Sequence, residues 1–467
     1  MSKKLFVLST CIILLVFSCK NTETPDPVKP GETTIDKTLL TGWWEPTDKE
    51  KPKIYFGDDN FFYQNLAKDI IPVAGFWQTS NDVIKYSVEQ NGTSTTQFKV
   101  TKLTATTLEF QNGNTKETFS KVNLPAITTP AISTIAGTGV AGYTGDNGSA
   151  KSAQMTSATG VVIDKTGNIF FCDRFNRVIR KISAIDGKIN TIAGTGNLNQ
   201  NSLSFTDNSP ALSIDLFDLT TLTIDDAQNL YVTEAQVNRI DKITTDGKIS
   251  CVAGCSTQQG ASGDGGPAKL ATFTYPHGLA VDAQGNLYIA SDANGKIRKI
   301  SNGIISTIAG TGAKNYNGDG ISATSANIMP FDISITTNGD IYFTEIDHNR
   351  IRKITAATGI ISTVAGTGVS GNSGDNGPAI NAQIIPFGIK ALPNGDIYFT
   401  DLNNIVRKVN GATGIITTIA GTGYNGYTGD GIHASAYSLA DPFGITTDTN
   451  GNLYIAERNR IRKVAAK

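Results

Sequence analysis

From residue 131 onward, short apolar runs alternate with turns rich in glycine, asparagine and aspartate, and the alternation repeats. The segment Ser133-Thr-Ile-Ala-Gly-Thr-Gly139 sets the phase. It returns at Ile192 to Gly196, degraded at Val252 to Ser256, then at Ile308 to Gly312, Val364 to Gly368 and Ile419 to Gly423. The starts at 135, 192, 252, 308, 364 and 419 are 57, 60, 56, 56 and 55 residues apart. So steady a period identifies a repeat architecture. Within one period, Gly278 to Asp282, Leu287 to Ala290, Lys296 to Ile300 and Ile304 to Ile308 are β-branched runs separated by tight turns. Each period therefore predicts four antiparallel strands, and six periods predict an all-β, six-bladed propeller. The chain enters on a fourth-strand sequence, Ile132 to Ile135, and leaves on a third-strand one, Arg460 to Val464. The entering strand is expected to complete the last blade and so remove an exposed edge.

Residues 274–300 and 442–464 show the repeat most cleanly: Pro-x-Gly, an Asp, Gly-Asn-Leu-Tyr-Ile-Ala, then a basic Ile-Arg-Lys run. This pattern resembles the NHL repeat in its bacterial form. The resemblance covers the propeller and implies its fold. It does not imply an activity, because such propellers serve as binding platforms, scaffolds and, in a few cases, enzymes.

The stretch before the repeats reads differently. Lys3 and Lys4 precede an apolar run, Leu5 to Phe17, ending in Val16-Phe-Ser-Cys19. The run is too short to span a membrane and has the order of an export signal. The cysteine after a small residue resembles a lipobox. Residues 1–18 are thus expected to be a lipoprotein signal peptide and Cys19 the lipidated residue, anchoring the protein to the bacterial outer membrane, periplasmic or surface-facing. Residues 19–36 are proline-rich and polar, a flexible tether. Residues 37–124 hold Trp43, Trp44 and Trp77 and seven or eight short strand-like runs. Their order resembles the small lipocalin-like domains of bacterial lipoproteins, a β-barrel or sandwich with the tryptophans as core. The propeller is assigned to 125–467.

Charge narrows the partners. The formal net charge is −1 over 467 residues, so no basic field draws in nucleic acid. Cys172, Cys251 and Cys255 remain beyond the signal. Positions four apart on a straight strand lie about 13 Å from each other, so two free thiols are expected at 251 and 255 unless the turn at Gly254 folds them together.

Repetition separates the blade from the site. The insert acids Asp146, Asp207, Asp264, Asp319, Asp375 and Asp430 recur in every period and read as Asx turns. Calcium at some of these inserts is the alternative; otherwise no cofactor is expected. The acids after the second run (Asp173, Glu234, Asp292, Glu345, Asp401, Glu457) also recur. So do the third-run arginines Arg180, Arg298, Arg352, Arg407 and Arg462, with Asp241 in the remaining place. Acid and arginine are expected to pair across each hairpin as braces; Asp241 has no account at this level.

What does not repeat is the residue before the Gly of Pro-x-Gly, or its equivalent: Thr159, Thr220, His277, Phe331, Phe387 and Phe443. The first strand of a propeller blade is innermost, so these six are expected to ring the channel mouth and form the ligand-binding rim. Two enzyme families of six-bladed propellers have site motifs that can be set against these positions. Tyr275-Pro-His-Gly-Leu-Ala280 resembles a zinc-binding segment of the peptidyl-hydroxyglycine amidating lyase, but the matching positions are Phe or Thr. The acidic mouth of the gluconolactonase-like family has no match at the six positions, although Asp332 stands one residue further on. No catalytic residue and no metal ligand is assigned. The expected function is an exported, lipid-anchored binding or scaffold protein for a peptide, glycan or protein partner. A metal-dependent hydrolase or lyase using the channel mouth is the alternative.

Overall fold

The computed structural model describes eight strands between residues 42 and 121, and then residues 131–198, 205–427, 429–430 and 434–466. Cys19, the tether and His433 lie outside the described residues. The chain divides into two compact units, Met1–Thr128 and Thr129–Lys467. In the first, eight antiparallel strands pair in chain order from Gly42–Pro46 to Thr115–Lys121. The last pairs with the first, with Glu45 opposite Ser120, and closes a barrel.

The second unit is six sheets in a ring. Blade 1 runs from its inner strand Ala158–Ile163 through Ile169–Asp173 and Val178–Ile182 to Ile189–Ala193. The inner strands of blades 2 to 6 are Leu219–Ile224, Leu279–Val281, Ile333–Ile335, Pro386–Ala391 and Pro442–Thr447. Arg460–Val464 ends the chain's own contribution to blade 6, and Ile132–Ala136 pairs antiparallel with it as the outermost strand. The expected clasp is present. Apolar residues of facing blades fill the gaps between them: Tyr454, Ala456 and Ile461 of blade 6 pack with Val161, Phe171 and Ile182 of blade 1.

The braces differ from the expected pairing. Arg180, Arg298, Arg352, Arg407 and Arg462 are almost wholly buried. A buried guanidinium must satisfy five N–H donors, and one carboxylate across the hairpin cannot do so. The insert acids supply the main contact. Asp146, Asp264, Asp319, Asp375 and Asp430 accept from these arginines at 2.6–2.7 Å. In four blades the same carboxylate also takes a fourth-strand amide, from Thr191, Thr307, Thr418 and Thr134. The insert acids therefore tie the insert to two strands, and the Asx-turn reading is corrected. The second-strand acids approach these five arginines within 4 Å in blades 1, 4 and 6, at 3.6, 3.3 and 3.2 Å.

Asp241 now has an explanation. Arg239 stands two residues earlier on the same strand, so its side chain shares a face with Asp241. Its guanidinium reaches both Glu234, at 2.5 Å, and Asp241, at 3.0 Å. The cation has moved two places and the vacated position has become an acid. Burial and the neighbouring Glu234 push the Asp241 pKa well above the carboxylate range, against the pull of Arg239. Asp207, left without a buried arginine, pairs with Lys269 and accepts the Cys251 amide.

The free-thiol expectation at 251 and 255 is overturned. A disulfide joins Cys251 to Cys255 with their Cα atoms 5.9 Å apart. The strand does not run straight between them: the register slips between Ile240 and Asp241, opposite Val252, and Gly254 turns the chain with φ of +69°. Cys172 is buried and free.

Candidate functional site at the channel mouth

The rim is built by three sets of contacts. The acid ending a second strand holds the segment that leads into the inner strand of its own blade. Asp173 accepts from the Thr156 amide at 2.8 Å, Glu234 from Phe217 at 2.6 Å and Glu345 from Met329 at 2.7 Å. Asp401 accepts from Ile385 at 3.2 Å and Glu457 from Ala440 at 2.9 Å. Blade 3 departs from this rule. Its second strand, Leu287–Ser291, ends in serine, and Asn294 accepts the Thr274 amide instead at 2.9 Å. Asp292 lies one residue beyond the brace position and is not a brace, which corrects the sequence reading.

The second set latches neighbouring blades. Thr233, Thr344 and Thr400 donate to the carbonyls of His277, Phe387 and Phe443 at 2.9, 2.7 and 2.6 Å. In blade 1, where Cys172 occupies this place, Thr159 itself donates to Leu219 O at 3.0 Å. The third set is close backbone approach. A Cβ on Gly388 would lie 2.2 Å from Phe443 O, and one on Gly444 would lie 2.2 Å from Thr159 O. The Gly of Pro-x-Gly therefore lets adjacent inner strands meet.

All six predicted rim residues come together. Thr159, Thr220, His277, Phe331, Phe387 and Phe443 line one funnel with about 690 Å³ of empty space, joined by Arg174, Thr221 and Asp332. Four rings form an arc over consecutive blades. His277 stacks on Phe331 with centroids 4.5 Å apart, Phe331 meets Phe387 at 4.5 Å, and Phe387 meets Phe443 at 5.2 Å. The two threonines are less available than their position suggests. Thr159 is spent on its blade latch, and the Thr220 hydroxyl bonds Thr233 at 2.7 Å.

Charge enters from four side chains. Arg174, in the turn after the second strand of blade 1, pairs with Asp218 at 2.6 Å. Asp292 faces His277 Nε2 at 3.5 Å, while His277 Nδ1 is buried without a hydrogen-bond partner. Burial lowers the His277 pKa; Asp292 and Asp218 pull it up and Arg174 pushes it down, and burial prevails. Asp332 accepts from the Ile389 amide at 2.9 Å, and burial raises its pKa to about 6.

Arg174, Asp218 and Asp292 were not recognised from sequence as parts of this site. One signal was legible: the position after each rim residue is Gly in four blades but Thr221 and Asp332 in two, and both line the funnel. The other two histidines part company with it. His348 braces its own turn, against Glu345 at 3.1 Å and Lys314 O at 2.5 Å, and His433 lies outside the described residues. Among the described residues, no group of three or more His, Cys, Asp or Glu side chains is placed to hold a metal ion.

A family model for the teneurin NHL domain matches residues 255–317. Chicken teneurin-1 is 29% identical over 233 residues, and human teneurin-4 is 29% identical over 230. These matches cover 34% and 33% of this chain and 8% of each teneurin. Among solved structures, a Bacteroides thetaiotaomicron protein of unknown function superposes with a TM-score of 0.53 at 16% identity, covering 94% of this chain and 99% of its own. An auxiliary nutrient binding protein from the same organism gives 0.52 at 14% identity, covering 94% and 98%. Both structural likenesses concern the fold. The ring of six sheets makes Thr129–Lys467 a six-bladed β-propeller, within which residues 255–317 match the teneurin NHL domain.

Proposed function

We propose that the propeller is a ligand-binding platform and that the funnel at its channel mouth is the binding site. One observation carries this reading. The braces and latches recur from blade to blade, whereas the six rim positions hold two threonines, a histidine and three phenylalanines around one open space. A residue needed only by the blade would be expected to repeat. Burying one phenyl ring against a ligand stabilises a complex by about 1.5–3 kcal/mol, or roughly ten- to a hundredfold in affinity. Peptide and glycan arrays probed with the protein lacking residues 1–18 would supply a ligand, and titration calorimetry would compare wild type with Phe387→Ala. A ten- to hundredfold loss with an unchanged unfolding midpoint is expected. Equal affinity would move the site elsewhere.

The platform is proposed to be exported and held at the cell envelope through a lipid on Cys19, with the N-terminal barrel as a lipocalin-like domain. The Val16-Phe-Ser-Cys19 pattern supports the anchor, and eight strands closing in chain order support the barrel assignment. Cys19→Ala should abolish incorporation of labelled palmitate and release the protein to the soluble fraction; labelling that persists would overturn the anchor.

A further inference from the structure

Resting on the funnel as the ligand site, we propose that its ligand carries a protonated primary or secondary amine on an apolar body, with the ammonium on Asp332 and the body against Phe331, Phe387 and Phe443. The unequal treatment of the funnel's charges is the basis. Arg174 is already neutralised, because Asp218 sits 2.6 Å away. Asp332 is not: among the described residues it forms no ion pair, and its carboxylate is held only by backbone amides, chiefly Ile389. It occupies a position that is Gly in four other blades, so the blade does not require a carboxylate there. Asp292 adds a second negative charge behind His277, whose burial favours the neutral imidazole. Of the residues that line the funnel, Arg174 and Asp332 carry full charges, and with Arg174 held by Asp218 the unpaired one is Asp332, which a cationic ligand would offset. An anionic ligand would meet the unpaired Asp332 and an arginine already engaged. A half-buried carboxylate without a cation is costly, and a charge-assisted hydrogen bond from an ammonium relieves it.

The rings refine the chemistry. His277 and Phe331 are 27° from parallel at 4.5 Å, so these neighbours each cover a face of the other. The face of Phe331 turned to His277 is therefore closed to a quaternary ammonium, which binds over an open ring face. The cation is recognised by the carboxylate through N–H donors. A methylated ammonium, which has none, should bind less well.

The test uses the full chain and four probes of similar shape: phenethylamine, its trimethylammonium analogue, phenethyl alcohol and hydrocinnamate, each titrated by ligand-observed NMR. Phenethylamine is expected to bind at least tenfold tighter than the other three. Asp332→Asn, whose side-chain oxygen can still accept the Ile389 amide, should erase that preference by weakening the amine at least tenfold more than phenethyl alcohol. Phe387→Ala should weaken the amine and the alcohol alike. The amine assignment is overturned if phenethyl alcohol or hydrocinnamate binds as tightly as the amine, or if Asp332→Asn keeps the preference. In those cases a loss of binding in Phe387→Ala would leave the funnel reading standing. Amine preference retained in Phe387→Ala at full affinity would overturn the funnel reading, and saturable binding by none of the four would overturn both.

Discussion

Asp430, in the last insert of the propeller, accepts hydrogen bonds from both the amide and the hydroxyl of Thr134, at 2.8 and 2.9 Å, across 296 residues of sequence. The same carboxylate takes the buried Arg462 guanidinium at 2.7 Å. One side chain therefore fastens the entering strand to the final blade, using the brace that other blades use internally. Ring closure is made of the same parts as the blades it joins.

Closure should accordingly be a property of the whole ring. Asp430→Ala leaves Arg462 short of an acceptor and Thr134 without its cap, a loss of about 1–3 kcal/mol. Deleting residues 131–137 removes the whole strand and bares the ladder edge of Arg460–Val464, so the propeller should unfold at a lower midpoint in one transition. Urea unfolding followed by fluorescence and circular dichroism checks both. An unchanged midpoint after the deletion would contradict the clasp.

The shifted brace in blade 2 predicts a rescue. Arg239→Val alone leaves Glu234 and Asp241 buried without their cation, which should cost about 3–5 kcal/mol. Blade 1 shows the alternative wiring, with Val178 and Arg180 at the matching positions and Asp146 as acceptor. Asp207 stands in the equivalent insert. The double variant Arg239→Val with Asp241→Arg should thus recover most of the stability that the single variant loses. Additive losses in the double-mutant cycle would show that the two wirings are not interchangeable.

Legibility in the sequence followed periodicity. Period, strand count and closure were visible because each blade repeats one alternation of apolar runs and turns. The rim was visible because Pro-x-Gly marks the inner-strand start in three blades and the repeat period carries that position to the other three. The partners of Arg239 were not visible, since the strand period puts Arg239 and Asp241 on one face but does not say that Glu234 is buried against both. Asp292 was misplaced by one residue because Ser291, a non-acid, fills the brace register. The disulfide depended on a register slip and a left-handed Gly254, neither of which spacing alone reveals. In each failure a local exception overrode the repeat.

Stability should depend on pH in two opposed ways. Burial raises Asp173 and Asp332 to about 6, and Glu457 and Asp401 also rise through burial. A group with a raised folded pKa binds its proton more tightly when folded, so its contribution is fully present below the unfolded value and lost as pH rises toward 6. Asp146 and Asp264 behave oppositely. Burial pushes them up, but hydrogen bonds from Thr191 and Arg180, and from Thr307 and Arg298, outweigh it and lower them. Their contribution is lost as pH falls through their folded pKa, below the ordinary carboxylate value of about 3.9. Maximum stability is therefore expected on the mildly acidic side, with Asp332→Asn flattening the decline between about pH 4 and 6. A stability curve that rises steadily from pH 5 to 8 would contradict the raised pair.

The two histidines of known environment should titrate on opposite sides of the ordinary imidazole value, and this tests the site directly. His348 is held by Glu345, whose hydrogen bond raises its pKa against the effect of burial. His277 is lowered, because burial outweighs the attraction of Asp292 and Asp218 and Arg174 adds repulsion. The chain contains three histidines, so their ring protons can be followed individually by NMR and assigned by substitution. His277 should titrate below about 6.5 and His348 above it. Asp292→Asn removes the nearer carboxylate, at 3.5 Å, and should lower the His277 pKa further while leaving His348 in place. If His277 titrates above 6.5, or is unmoved by Asp292→Asn, the neutral imidazole and its coupling to Asp292 are both wrong, and with them the charge balance ascribed to the funnel.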